Sequence, residues 1–334
     1  MTGGSPPDDA EPSGVEPGND PGTLDRSTVV EHFTGIGTRP DLWRAFELVM
    51  PTHRYLNLGY SGPGQTHVLG DPQARLATRM LDVLAERIDI DVTVLLDVGC
   101  GRGGPTRDAA RKFGATAVGI DLVAENLRVA RDVDSSRDPL LGHWRCPNGL
   151  VDRQSNGGDL DGAVAFVQAD ARSLPVGSGV ADAAIAVDAM HYVSEKTPVY
   201  EEFDRALAPG GAAVVTDLLV RKGDRGRAVD RFCRAWDLAA PLTPAAYRET
   251  IRAAGLQVDG AWNIAAHSLE PIRRWTSVFE VLDRHGARRA FDRLATTLGI
   301  DPSTGREQIR AAHAGLPALE HGLFVLRPAD GRPD

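Results

Sequence analysis

The sequence predicts an α/β fold, a mostly parallel sheet with helices on both faces. Two observations carry the prediction. Beyond residue 91, short apolar runs alternate with helical segments, the rhythm that joins parallel strands through helical crossovers. The first run, 92–98 (VTVLLDV), is almost continuously apolar, as a strand buried on both faces must be.

The elements follow in order. Residues 1–25 are rich in Gly, Pro and Asp, carry six acidic residues and no basic one, and bury too little to offset the entropy of ordering; they read as a disordered tail. Removing those six charges from the net −9 leaves a body of about −3, with no basic block to bind DNA or RNA. Apolar residues recur at helical spacing over 29–50. Asp71-Pro72 opens a second helix, Asp as N-cap and Pro at the first helical position. Strands are then expected at 92–98, 115–121, 163–168, 181–187 and 211–218, with helices at 105–113 and 123–131. Residues 132–161 are polar and Gly/Asp-rich, longer than an ordinary connection, and read as a mobile loop in preference to a substrate-facing insertion. Residues 221–255 are helical, broken by Pro241-Leu242-Thr243-Pro244, and read as a lid over the site. A strand at 256–265, helix to about 314 and a last strand at 319–327 complete the chain. The expected division is tail 1–25, helical cap 26–90, core 91–220, lid 221–255 and C-terminal part 256–330.

Three cysteines (Cys100, Cys146, Cys233) are too few and too scattered for a disulfide framework or a zinc site. No metal is expected. No apolar run reaches the roughly 18 residues of a membrane helix, and the first residues lack the order of a signal peptide, so the expected location is cytoplasmic. A homodimer is left open.

The strongest chemical signal is Asp97-Val98-Gly99-Cys100-Gly101-Arg102-Gly103-Gly104, a strand ending in a glycine turn that feeds a helix. Such a turn lets backbone approach a ligand closely. Gly99, Gly101 and Gly104 also satisfy the dinucleotide fingerprint G-x-G-x-x-G. Asp97 tilts the choice, because a carboxylate repels a pyrophosphate and pairs with an ammonium. Asp121 ends the next strand, where a carboxylate accepts ribose hydroxyls, and Asp170 follows the third.

DVGCGRGG, GIDL, QADARSLP and LAPGG, in this order, resemble the successive motifs of class I S-adenosylmethionine-dependent methyltransferases. The resemblance spans roughly residues 55–327 and is nearest in pattern to bacterial sugar and natural-product O-methyltransferases of secondary metabolism. It implies a Rossmann-like seven-stranded sheet whose last strand is inserted antiparallel. It implies S-adenosylmethionine as cofactor, held by Asp97, Gly99, Cys100, Gly101, Asp121, Leu122, Asp170, Ala171 and Asp188. The segment Tyr55-Leu56-Asn57-Leu58-Gly59-Tyr60 resembles an "LGY" stretch whose aromatics cover the cofactor, which would assign that role to Tyr60.

An alcohol nucleophile needs its proton removed during attack, and general-base help contributes roughly 10²–10⁴-fold. His191 follows the fourth strand at the ligand-binding edge, and Asp217 lies on the next. In the relatives a His and an Asp at these positions form a catalytic pair, so His191 is the expected base and Asp217 its orienter. Tyr192 stands where those relatives often have a second His. The other histidines show no partner in the sequence. The expected function is O-methylation of a small-molecule acceptor. C-methylation of an isoprenoid or polyketide carbon, a dehydrogenase and a non-catalytic cofactor-binding partner protein are the rivals.

Overall fold

In the computed structural model, the described residues are 24–34, 54–67, 71–132, 163–286, 288–297 and 301–329. They fold as α1 (Arg26–Thr34), α2 (Pro72–Arg87), β1 (Val94–Val98), α3 (Gly104–Phe113), β2 (Thr116–Asp121), α4 (Ala124–Asp132), β3 (Ala163–Gln168) and β4 (Ala181–Ala186). After a 3₁₀ turn (Met190–Tyr192) come α5 (Thr197–Ala206), β5 (Leu207–Val220), α6 (Arg227–Trp236), α7 (Pro244–Ala253) and β6 (Leu256–Asn263). The remainder is α8 (Leu269–Arg284), α9 (Arg288–Thr297), α10 (Pro302–Gly315) and β7 (Leu319–Pro328).

One sheet of seven strands runs β3-β2-β1-β4-β5-β7-β6. β1 to β5 pair in parallel, while β7 is antiparallel to both β5 and β6. The fold is therefore the α/β class expected, with the last strand inserted antiparallel.

Alternation along each strand divides the core. On one face Leu95, Ile185, Val214 and Val325 pack against Leu76, Met80, Leu81 and Leu84 of α2. On the other, Leu96, Val98, Ala184 and Val215 pack against Val199, Tyr200 and Phe203 of α5 and Tyr247 and Ile251 of α7. A third cluster joins α6, α10 and the ends of β5 and β7 through Val229, Phe232, Leu316 and Leu319.

The differences from sequence expectation are local. α1 begins at Arg26, so Leu24 and Asp25 of the expected tail are ordered. The expected helical region beyond Asn263 is three helices. β5 starts at Leu207, before the Pro209-Gly210-Gly211 turn. The rest of the tail, residues 35–53 and the insertion 133–162 lie outside the described residues, so the reading of the insertion stays an expectation. Among the described residues no helix is long and apolar enough to cross a membrane.

Candidate functional site

A cavity of about 610 Å³ opens at the carboxyl ends of β1, β2 and β4, beside β1, where the chain's strand order reverses. The turn after β1 forms its floor. Gly99 and Gly101 have φ of +74° and +52°, and a Cβ on Gly99 would lie 2.3 Å from Ala189 Cβ. Only glycine combines that backbone with that approach. The amides of Gly99 and Cys100 donate to Ile120 O at 2.7 and 3.0 Å, fastening the turn to β2.

Eight of the ten cofactor residues expected from the sequence line this cavity: Gly99, Cys100, Gly101, Asp121, Leu122, Asp170, Ala171 and Asp188. Asp121 accepts from Gly101 N at 2.7 Å through Oδ2 and from Val123 N at 2.8 Å through Oδ1. Burial raises its pKa, the two amides pulling the other way. Asn126 Nδ2 donates to Oδ1 as well, at 3.4 Å, so of a carboxylate's roughly four acceptor positions about one remains for a ribose hydroxyl. Cys100 is a buried thiol whose pKa burial pushes well up; it contributes shape and not charge.

Asp97 and Tyr60 lie elsewhere. Asp97 shares a face of β1 with Leu95, toward α3, and is fully buried behind the turn. Thr106 Oγ1 donates to its Oδ2 at 2.6 Å, and Oδ1 has no hydrogen-bond partner. Burial pushes its pKa up to about 7, against the Thr106 hydrogen bond. The sequence placed this acid at the mouth; the structure places it under the floor. Tyr60 stacks on His267, centroids 4.7 Å apart, and packs on the α2 side of the core. The Tyr55–Tyr60 segment reaches the cavity instead through Leu56 and Asn57.

Asp170 is held by two arginines. Arg172 makes hydrogen bonds of 2.8–3.3 Å to it, and Arg26 of α1 forms a second ion pair. The Arg172 hydrogen bonds, with Arg26 adding, pull its pKa down to about 2. α1 thereby lies over the cavity, with Arg26, Val29 and Phe33 in its wall. Phe33 meets Tyr192 edge-on at 5.0 Å. α1 opens the helical cap expected at 26–90; in the expected lid, 221–255, α6 packs on α10 and α7 on the sheet.

Asp188 is a buried hub with φ +54°, unusual for a non-glycine residue. Its carboxylate accepts from Leu58 N at 2.8 Å and Thr216 Oγ1 at 2.7 Å, and pairs with His321 Nε2 at 2.8 Å. Burial pushes its carboxyl up, but His321, His191 and these donors hold it well below the usual range. His321 in turn meets Ser268 Oγ at 2.7 Å. His67, expected to lack a partner, lies 2.9 Å from Ser61 Oγ and 2.7 Å from Leu58 O.

His191 sits on the 3₁₀ turn between Met190 and Tyr192, both of which line the cavity. Its ring lies 4.6 Å from that of Tyr192, and its buried Nδ1 has no partner. Burial first, then Lys196 and His321, lowers its pKa to about 4, against the pull of Asp188 and Asp217. The imidazole is neutral at pH 7.

Asp217 does not orient it. Thr216 and Asp217 take opposite faces of β5, and Asp217 enters the layer of Tyr200 and Tyr247. Its Oδ1 accepts from Leu218 N, and its Oδ2 lies 3.1 Å from Lys196 Nζ. No hydrogen bond joins His191 and Asp217 among the described residues. The expected dyad is replaced by a Lys196–Asp217 ion pair, and Asp217 acts on His191 through its field alone.

A second hollow of about 600 Å³, between α7 and β6, holds none of the residues singled out by sequence. No group of three or more His, Cys, Asp or Glu that could hold a metal occurs among the described residues.

Comparison with known proteins agrees with this geometry. Residues 96–215 match the model of a methyltransferase domain. Methyltransferase GfsG of Streptomyces halstedii is 36% identical over 152 residues, 45% of this chain and 47% of that protein. The 27-O-demethylrifamycin SV methyltransferase of Amycolatopsis mediterranei is 24% identical over 76% of this chain and 84% of its own length. The chain spans about half the length of the first curated relatives it matches. The structure of geranyl diphosphate C-methyltransferase from Streptomyces coelicolor A3(2) superposes with a TM-score of 0.59 at 14% identity, over 93% of this chain and all of that one, a likeness of fold. With the glycine turn, Asp121 and the seven-stranded sheet in place, residues 96–215 form a methyltransferase domain of the S-adenosylmethionine-dependent kind.

Proposed function

We propose that this chain transfers a methyl group from S-adenosylmethionine to a hydroxyl of a small apolar molecule, His191 accepting the hydroxyl proton. The observation that carries the reading is the His191 imidazole, neutral and unpartnered at Nδ1, between two cavity-lining residues. The cofactor, when bound, supplies an activated methyl on a sulfonium. The glycine turn and Asp121 fix its nucleoside end, while Met190, Tyr192, Val193 and Phe33 give the open side of the cavity an apolar wall. An acceptor held in line against that wall gains up to ~7–11 kcal/mol from positioning. His191 would take the hydroxyl proton as the methyl supplied by the cofactor passes to the acceptor oxygen. The rifamycin relative, which by its name acts at an O-demethylated position, supports oxygen as the acceptor.

The test is methyl transfer from isotope-labelled S-adenosylmethionine into a metabolite extract, wild type against His191→Ala. An oxygen-linked methyl, formed about 10²-fold or more slowly by the variant, is expected. A carbon-linked product, or an undiminished rate in His191→Ala, would overturn the reading and favour C-methylation.

A further inference from the structure

The turn that carries His191 is held by a residue to which the sequence assigned no role. Lys196 stands at the start of α5, its side chain 3% exposed. Its ammonium donates to Met190 O at 2.5 Å and Val193 O at 2.9 Å, and lies 3.1 Å from Asp217 Oδ2. An ammonium has three hydrogens, and three oxygens surround this one. Two belong to the backbone of the turn, on either side of His191. The third belongs to β5.

We propose that Lys196 is the positioning residue of the methyl-transfer step, tying the His191 turn to β5 and neutralising Asp217 so that the imidazole stays uncharged, its buried Nδ1 without a partner. The inference rests on His191 being the base. Two acids flank the imidazole, Asp188 after β4 and Asp217 on β5, with Lys196 from α5 and His321 from β7 as the cationic or titratable groups facing them. Asp188 is already satisfied by Leu58, Thr216 and His321. Among the described residues, Asp217 has only Lys196 as a cation. Removing the ammonium would leave an unpaired buried carboxylate beside an imidazole. The imidazole would then hold a proton up to a higher pH, and an imidazolium cannot accept one from a hydroxyl. Stability alone is a poor reason for such a pair, because buried ion pairs contribute little beyond well-packed apolar residues of the same volume.

The test is a titration of His191 by ¹⁵N-imidazole NMR, with adenosylhomocysteine bound, in wild type, Lys196→Met and Lys196→Arg. The apparent pKa of His191 should rise by about one unit or more in Lys196→Met and stay near wild type in Lys196→Arg. The acid limb of turnover in the extract assay should move up with it in Lys196→Met. Adenosylhomocysteine affinity, read by calorimetry, should change by less than about threefold, since Lys196 does not line the cavity. A His191 titration unmoved in folded Lys196→Met, or cofactor affinity falling as far as turnover, would overturn the proposal. Should Lys196→Met not fold, Asp217→Asn serves: the ammonium without its counter-charge should drive the His191 pKa down, and an unmoved titration refutes. Full activity of His191→Ala would sink the base reading alone, whatever the titrations show.

Discussion

Replacing Asp97 by asparagine should stabilise the cofactor-free protein at alkaline pH and destabilise it in acid. The carboxyl is fully buried behind the glycine turn, with one oxygen on Thr106 and the other without a partner. Its folded-state pKa is about 7 against 3.8 for the unfolded chain, burial being the cause. The folded state therefore holds a proton that the unfolded state has lost between those limits. Stability falls as pH rises through that window and levels off above about 7. Three units at 1.36 kcal/mol each give a cost of about 4 kcal/mol for the ionised form. The asparagine amide keeps the Thr106 hydrogen bond but leaves its N–H groups unmatched where Oδ1 stood, a cost of about 1–3 kcal/mol. The net gain at pH 8–9 is then about 1–3 kcal/mol.

Urea denaturation followed by tryptophan fluorescence, from pH 5 to pH 9, reads this directly. The variant's midpoint should fall less than that of wild type as pH rises, with the slope m unchanged. Asp108 and Asp121 are also raised by burial, so both proteins will slope; the difference between them isolates Asp97. Parallel curves would mean that Asp97 is hydrated or paired in solution and would refute its burial beneath the floor.

Gly99→Ala should weaken adenosylhomocysteine binding by calorimetry about tenfold or more, because φ of +74° costs an L-residue roughly 1–2 kcal/mol and its Cβ meets Ala189. Asp188→Asn keeps a residue that tolerates positive φ but leaves one of Leu58 N, Thr216 Oγ1 or His321 Nε2 without its acceptor. It should lower unfolding free energy by about 1–3 kcal/mol in urea. Arg26→Ala breaks an ion pair whose arginine side chain is 63% exposed, worth about 0.2–1 kcal/mol. Stopped-flow release of adenosylhomocysteine should quicken by at most about fivefold, with little change in Tm.

The sheet and the glycine turn were legible because their signals are local. A buried strand, a turn that needs φ above zero and a helix start each lie within ten residues of sequence, and β3 has the bounds expected of it. Asp121 was legible for the same reason, since it ends the strand that holds the turn's amides. The acids on β1 and β5 were not. A strand buried on both faces shows no polar alternation to say which side covers which helix. Asp97 therefore read as a mouth residue while its register with Leu95 sent it toward α3. Asp217 read as a partner of His191 while its neighbour Thr216 took the face that meets Asp188.

The remaining contacts of the site span the chain. Asp188 and His321 are 133 positions apart and meet because β7 is inserted beside β5, pairing Leu218 with His321. Arg26 reaches Asp170 across 144 positions through a helix whose own sequence is barely amphipathic. Lys196 is the informative exception. It lies five residues from His191, yet the sequence assigns it no role, because lysines are almost never fully buried unless paired. The partner that buries it is Asp217, on the following strand. Asp217 therefore pairs with Lys196 and not with His191, whose Nδ1 is left without a partner.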